Sequence, residues 1–442
     1  MEAPSIQPIT GEERKKLWTS LQESYTRNRA HSGAYRFTLP SRGKYNQQFL
    51  WDSCFHAMVN TYLDPAYARD ELRAVLAHQV SEGPEAGMVP HMNYWDGRGQ
   101  LLWLTPFRSD ITQPPMPAWA AWTVAHAPAH APAGTAASPV DTAFLGELYP
   151  KLAAYYDWLH HRRRVAEFGD LVAILHPWES GWDNSPRWDG RVGPGDDALN
   201  AVARTRLAAR QRLYGFDSRV CLRPERRLFA AVTVDFNCVY AANLEAMGWI
   251  AGALGQGAEQ KKWQERAQSV KRALQQFCWS DREGFFFDWV RGDAEPDAGV
   301  SSMALPRWRR LALRTPAAFL TLFAGAASEQ QAHRLLSHLR DPAQFATAYP
   351  VPTVARAEPS FSPDRYWRGT TWVNVNWFIA RGLARYSYGQ EAAALAWRTA
   401  RMVAREGLWE YYDSLCGQGL GAEGLCWSGL AWDLAEWAQR QG

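Results

Sequence analysis

Apolar side chains recur at three- and four-residue intervals from Glu12 to Asn28. The same spacing returns over 51–63, 66–82, 114–130, 141–165, 198–213, 234–254, 258–278, 316–325, 329–339, 371–387, 390–406 and 427–440. The pattern predicts about a dozen helices. Alternation of period two is confined to short pieces such as Gly284-Phe285-Phe286-Phe287-Asp288-Trp289, enough for minor β-hairpins but not for a central sheet. The expected class is all-α. Trp119-Ala120-Ala121-Trp122 and Ala392-Ala393-Ala394-Leu395-Ala396-Trp397 are apolar around much of the helix, as inner helices packed on two sides should be. Between the helices lie long stretches punctuated by Gly and Pro, at 83–113, 176–197, 342–370 and 407–426. Loops of that length in a compact helical protein usually carry function, so the simplest arrangement is a ring of helices with its chemistry on the loops of one face. Residues 125–138, rich in Ala, Pro and His, read as a solvated connection without chemistry, and residues 1–11 as a flexible lead to a single domain spanning 1–442.

Charge excludes some functions. The 48 Lys and Arg against 45 Asp and Glu leave a net +3 over 442 residues, no field for collecting polyanions, so nucleic acid is not an expected partner. No run of about eighteen uncharged apolar residues occurs, so no membrane span is expected. The cysteines, Cys54, Cys221, Cys238, Cys278, Cys416 and Cys426, form no Cys-x-x-Cys pair. With no apolar signal core at the start, this reads as reduced thiols in a cytoplasmic protein. No His-Glu-x-x-His or calcium-loop spacing appears, so no metal site is expected. Oligomeric state stays open.

The unusual quantity is 23 Trp, within an aromatic content of 13%. Many adjoin an acid: Trp51-Asp52, Trp178-Glu179, Trp182-Asp183, Trp188-Asp189, Trp409-Glu410 and Trp432-Asp433. Core packing does not ask for that neighbour. A sugar does, because its C–H faces stack on indole while its hydroxyls need carboxylate or amide partners. Four segments concentrate these residues: Tyr45-Asn46-Gln47-Gln48-Phe49-Leu50-Trp51-Asp52-Ser53, the stretch from His176 to Asp189, the stretch from Arg365 to Trp377, and Glu406 to Asp413 followed by Cys426-Trp427-Ser428. Taken alone, Asp52 reads as a helix N-cap before it reads as a sugar ligand. Arg204, Arg206, Arg210 and Arg212 could hold a carboxylate or phosphate, but arginines at these spacings read first as a solvated helix face.

In order along the chain, Phe49-Leu50-Trp51-Asp52, Glu179-Ser180-Gly181-Trp182-Asp183-Asn184-Ser185-Pro186, Tyr366-Trp367-Arg368-Gly369, and Glu410-Tyr411-Tyr412 with Gly424-Leu425-Cys426-Trp427-Ser428 resemble the motifs of glycoside hydrolase family 63. The likeness is strongest to its compact bacterial members, the mannosylglycerate and glucosylglycerate hydrolases, and weaker to family 37 trehalases. The resemblance implies an (α/α)6 barrel and an inverting hydrolase of a small α-glucoside or α-mannoside that needs no cofactor. It implies Asp183 as general acid, Glu410 as general base and Asp52 as a ligand of the sugar before the cleaved bond. Gln113, Trp178, Trp367, Trp372 and Trp427 match positions lining the pocket; Tyr45, Gln48, Phe49, Trp51, His91, Glu179, Asn184 and Tyr366 complete the expected sugar-binding set. Inversion needs one protonated carboxyl and one ionised carboxylate roughly 6.5–9.5 Å apart, with room for water. The resemblance leaves the aglycone open; the short chain favours a substrate of two or three units, and the wider family, mostly glucosidic, implies glucose before mannose.

Two other classes compete. A sugar isomerase or epimerase of the same fold would share the tryptophan-lined pocket but work through histidines, and His56, His91 and His176 are isolated in sequence. A sugar-binding protein without catalysis would not need both Asp183 and Glu410. A terpene cyclase would account for the aromatic helices, but its aspartate-rich motifs are missing.

Overall fold

The computed structural model describes residues 7–99, 101–126, 139–291 and 305–441. Most of the expected 125–138 connection, and residues 1–6 of the expected lead, lie outside them. In the rest of the lead Ile9 is buried, and Thr10 caps the first helix in a capping box with Glu13.

Among the described residues the helices are α1 (Gly11–Asn28), α2 (Leu50–Leu63), α3 (Pro65–Val75), α4 (Pro117–Ala125), α5 (Thr142–Trp158), α6 (Asp197–Arg212), α7 (Ser218–Cys221), α8 (Val234–Ala253), α9 (Gly257–Ala273), α10 (Leu320–Ala324), α11 (Glu329–Arg340), α12 (Val373–Arg385), α13 (Gly389–Glu406) and α14 (Leu430–Gln439). Every helix expected from the apolar spacing is present, and the one-turn α7 is additional. Their ends follow local chemistry. Helix α4 starts only at Pro117, because Pro114 and Pro115 supply no amide to a helical ladder. Helix α3 stops at Val75 rather than running to 82, because Val80 turns away to exchange backbone hydrogen bonds with Gly87 and Met88. Helix α5 passes into a π-turn, Leu159–Arg163, that carries Arg163 inward.

Helix α2 packs on α4, α4 on α8, α8 on α10, α10 on α12, α12 on α14, and α14 back on α2. These neighbours close on one another, and their side chains are buried on nearly all sides; in α2 every residue from Leu50 to Thr61 is buried. Around them, α3 lies against α2 and α4, α5 against α4 and α8, α9 against α8, α13 against α12 and α14, and α1 against α13 and α14. Helix α13 therefore differs from expectation. It buries Ala392, Leu395, Ala396 and Trp397 on one face and exposes Gln390, Arg398 and Arg405 on the other, so it is an amphipathic outer helix.

Short antiparallel strand pairs brace the loops. Gln48–Phe49 pairs with Met92–Asn93, tying the start of α2 to the 83–113 loop. Trp409–Tyr412 pairs with Gly419–Glu423, and the register shifts so that Gly421 and Ala422 together face Glu410. Such a bulge turns a backbone amide out of the ladder and re-aims the side chain opposite.

Candidate active site

Glu410 is buried at that bulge, with its carboxylate surrounded by donors. The Tyr45 hydroxyl donates to Oε1 at 2.7 Å, the Ala422 amide to Oε2 at 2.9 Å, and the Lys44 ammonium to Oε2 at 3.2 Å. All three are donors, the complement that an ionised carboxylate requires. Gly421 makes room: its φ is +81°, and a Cβ there would come 2.6 Å from Glu410 Oε2. The Trp427 indole donates to the Glu410 backbone carbonyl at 3.2 Å and holds the strand from behind.

Asp183 comes from the 176–197 loop, where it stands between two short 3-10 turns, Pro177–Ser180 and Pro186–Trp188. Gly181 between them has φ +72°, and a Cβ there would fall 2.4 Å from the Trp51 ring, so the first and second motifs meet in a contact only glycine allows. Burial pushes the Asp183 carboxyl up to about 7, against the pull of Arg204; the negative charge of Glu410 adds to the rise. Asp52 is pushed well above the usual carboxylate range, again by burial first and then by Glu410 and Asp183. Asp52, Asp183 and Glu410 thus sit within electrostatic reach of one another, though they arise from three distant segments. Asp52 is not the helix cap; Phe49 holds that position.

The walls are aromatic. Trp182 stacks on Trp367 at 5.0 Å between ring centres, Trp367 on Trp372 at 3.5 Å, and Trp372 on Tyr411 at 5.0 Å. Trp427 meets Trp372 and Trp51 edge-on. Tyr366, at φ +33°, packs against Trp372 and Tyr411. A strained non-glycine residue of this kind is characteristic of functional sites. On the other side, Tyr45 leads through Phe49 to His91, whose ring stacks on Trp178 at 6.3 Å. Gln113 accepts a long bond, 3.4 Å, from the Trp51 amide.

Three expected sugar ligands are committed elsewhere. Gln48 is bonded to Glu71, Asn93 and Trp95. Glu179 is fully buried in a two-pronged ion pair with Arg163 at 2.7 and 2.8 Å, which holds its carboxyl below the ordinary value despite burial. Asn184 is spent on Asp197 and Asn200. All three support the loops instead of facing a ligand. The histidines are unsuited to proton abstraction near neutrality, since burial lowers His91 to about 3 and His176 to about 4. Among the described residues no group of three or more His, Cys, Asp or Glu is placed to hold a metal ion, and no helix is long and apolar enough to cross a membrane.

The supporting charges escaped the motif reading. Buried Arg187 lies between the Trp182 and Trp188 rings, 4.7 Å from each, and bridges Asp235 at 2.8 Å and Asp288 at 3.0 Å. Buried Arg368 pairs with Asp189 and donates to the Asn184 carbonyl. Arg204 is not merely on a solvated face: it donates to the Asp183 carbonyl at 3.1 Å, and its Nε is buried without a partner among the described residues. Its signal in the sequence was a run of arginines along one helix, a weak one that a solvated face produces equally well.

Comparison with known proteins places these observations in a family. The family described as "Mannosylglycerate hydrolase MGH1-like glycoside hydrolase domain" matches residues 45–428. A mannosylglycerate hydrolase of Thermus thermophilus is 34% identical over 425 residues, 89% of this chain and 94% of the relative. A glucosylglycerate hydrolase of Mycolicibacterium hassiacum is 25% identical, over 88% of this chain and 91% of the relative. The crystal structure of the family 63 mannosylglycerate hydrolase from Thermus thermophilus in complex with Tris and D-glycerate superposes with a TM-score of 0.76 at 31% identity, covering 96% of this chain and 99% of that one.

Proposed function

This chain belongs to the mannosylglycerate hydrolase MGH1-like glycoside hydrolases of family 63, and from that membership we propose that it hydrolyses an α-hexosyl glycerate with inversion. Asp183 is the general acid and Glu410 the general base. The observation that carries this reading is the pairing of an Asp183 carboxyl raised to about 7 with a Glu410 carboxylate held by Tyr45, Lys44 and Ala422. In the reaction Glu410 takes a proton from water as its oxygen attacks the anomeric carbon. The glycosidic oxygen leaves with the proton of Asp183, so one carboxyl gains what the other gives up. Asp52 and the indole walls bind the sugar. The Nε of Arg204, without a partner among the described residues and next to Asp183, supports a carboxylate-bearing leaving group. The relatives' names favour mannose over glucose, since the 34% relative is a mannosylglycerate hydrolase and the glucosylglycerate hydrolase is 25% identical. The closed sequence of α2, α4, α8, α10, α12 and α14 supports reading the fold as an (α/α)6 toroid forming a single catalytic domain. The free cysteines support a reducing compartment.

Proton NMR of the protein with mannosylglycerate, glucosylglycerate, trehalose and simple α-glucosides tests the proposal. The expected result is that mannosylglycerate is consumed fastest and the β-anomer of the hexose appears first. First appearance of the α-anomer would refute inversion, and hydrolysis of trehalose alone would refute the glycerate reading.

A further inference from the structure

The turn that precedes Tyr45 is built with more care than a surface turn needs. Lys44 and Tyr45 both donate their amides to the Ser41 carbonyl, and the Gly43 amide is taken by the Asn46 side chain. The Ser41 hydroxyl donates to the Glu423 carbonyl at 2.8 Å, the Arg42 amide to Asn28 at 2.8 Å, and the Arg42 guanidinium to the Arg27 carbonyl at 2.8 Å. The turn is therefore fastened to the strand that pairs with the one carrying Glu410. Lys44 is half exposed, yet its ammonium ends 3.2 Å from a carboxylate that is almost fully buried.

The two oxygens of Glu410 are served unequally. Oε2 accepts from Lys44 and from the Ala422 amide, which fills its two acceptor directions. Oε1 accepts from Tyr45 and, among the described residues, keeps one direction open.

We infer that Lys44 is a positioning residue for the base, its ammonium closing Oε2 together with the Ala422 amide so that the nucleophilic water gives its proton to Oε1. This rests on Glu410 being the base. The charged and titratable groups facing Glu410 are Lys44 and Tyr45 from the turn, Asp52 from α2, Asp183 from the 176–197 loop, Tyr366 and Tyr411. Against two carboxyls, Lys44 supplies the cation in direct contact.

The test is the pH dependence of kcat/KM on mannosylglycerate, or on glucosylglycerate if that is the better substrate, for the wild type, Lys44→Met, Lys44→Arg and Glu410→Gln. Without the ammonium the ionised base is less favoured, so the acid limb of Lys44→Met should move up by roughly half a unit to one unit, and the plateau should fall. Lys44→Arg should return the limb towards the wild-type position. Because Lys44 is half exposed, high salt should move the wild-type limb the same way and leave that of Lys44→Met in place. Coincident acid limbs in Lys44→Met and wild type, or a uniform loss at every pH, would overturn the role of Lys44 provided Glu410→Gln is inactive. An active Glu410→Gln would instead overturn the assignment of the base itself.

Discussion

The proposed acid, Asp183, owes its raised carboxyl to where its loop puts it: burial pushes it up to about 7, and Arg204 only moderates the rise. An acid that must deliver a proton works below that value and fails above it. The basic limb of kcat/KM should therefore fall as pH rises past about 7. Asp183→Asn should cost on the order of 100-fold or more in kcat and abolish that limb, with the melting temperature little changed. A basic limb that survives the substitution would assign the acid elsewhere. His91 and His176 cannot produce this limb, since burial holds both neutral from about 3 and about 4 upward. The sugar ligands divide along the same line between residue type and residue circumstance. Gln48, Glu179 and Asn184 have the right chemistry for a sugar hydroxyl, but their hydrogen-bonding capacity is already spent on Trp95, Arg163 and Asn200. A sequence displays the capacity and not its expenditure.

At the level of elements, the helices were legible because each repeats its apolar face locally, and the motif loops because tryptophan beside an acid is conspicuous. The braces between elements were not. Arg187 reaches Asp235 across 48 positions and Lys44 reaches Glu410 across 366, separations at which no spacing rule operates. The placement of α13 outside the inner set was missed for a related reason, as an alanine-rich stretch reads as apolar all round until its neighbours are known. The Arg187 brace has a measurable weight. Arg187→Met keeps the apolar contact with Trp182 and Trp188 but leaves Asp235 and Asp288 buried without their cation. It should lower stability by about 3–5 kcal/mol, and kcat should fall as the loop bearing Asp183 loosens. Denaturant titration and steady-state kinetics read the two effects separately; a variant as stable as wild type would show that the buried acids find other partners.

Over the whole molecule, closure of the inner helices depends on α14, and within it on Asp433. Its carboxylate takes the Tyr62 hydroxyl from α2 at 2.7 Å, the Trp377 indole from α12 at 2.7 Å and the guanidinium of Arg381. One buried acid thereby joins three of the inner helices, far from Asp183 in sequence. Asp433→Ala should lower stability by about 3 kcal/mol while the pH limbs of activity stay where they are, a combination that separates support of the fold from support of the chemistry. A shifted limb would show that closure and active-site electrostatics are linked. The stack of Trp182, Trp367, Trp372 and Tyr411 is the counterpart of this joint among the loops. With Trp367 and Trp372 parallel within 7° at 3.5 Å, their excited states couple, and a tryptophan exciton couplet in far-ultraviolet circular dichroism is the expected signature. Since the stack ends on the neighbours of Asp183 and Glu410, that signal is an intrinsic optical gauge of the site, able to follow sugar entry and product release without a label.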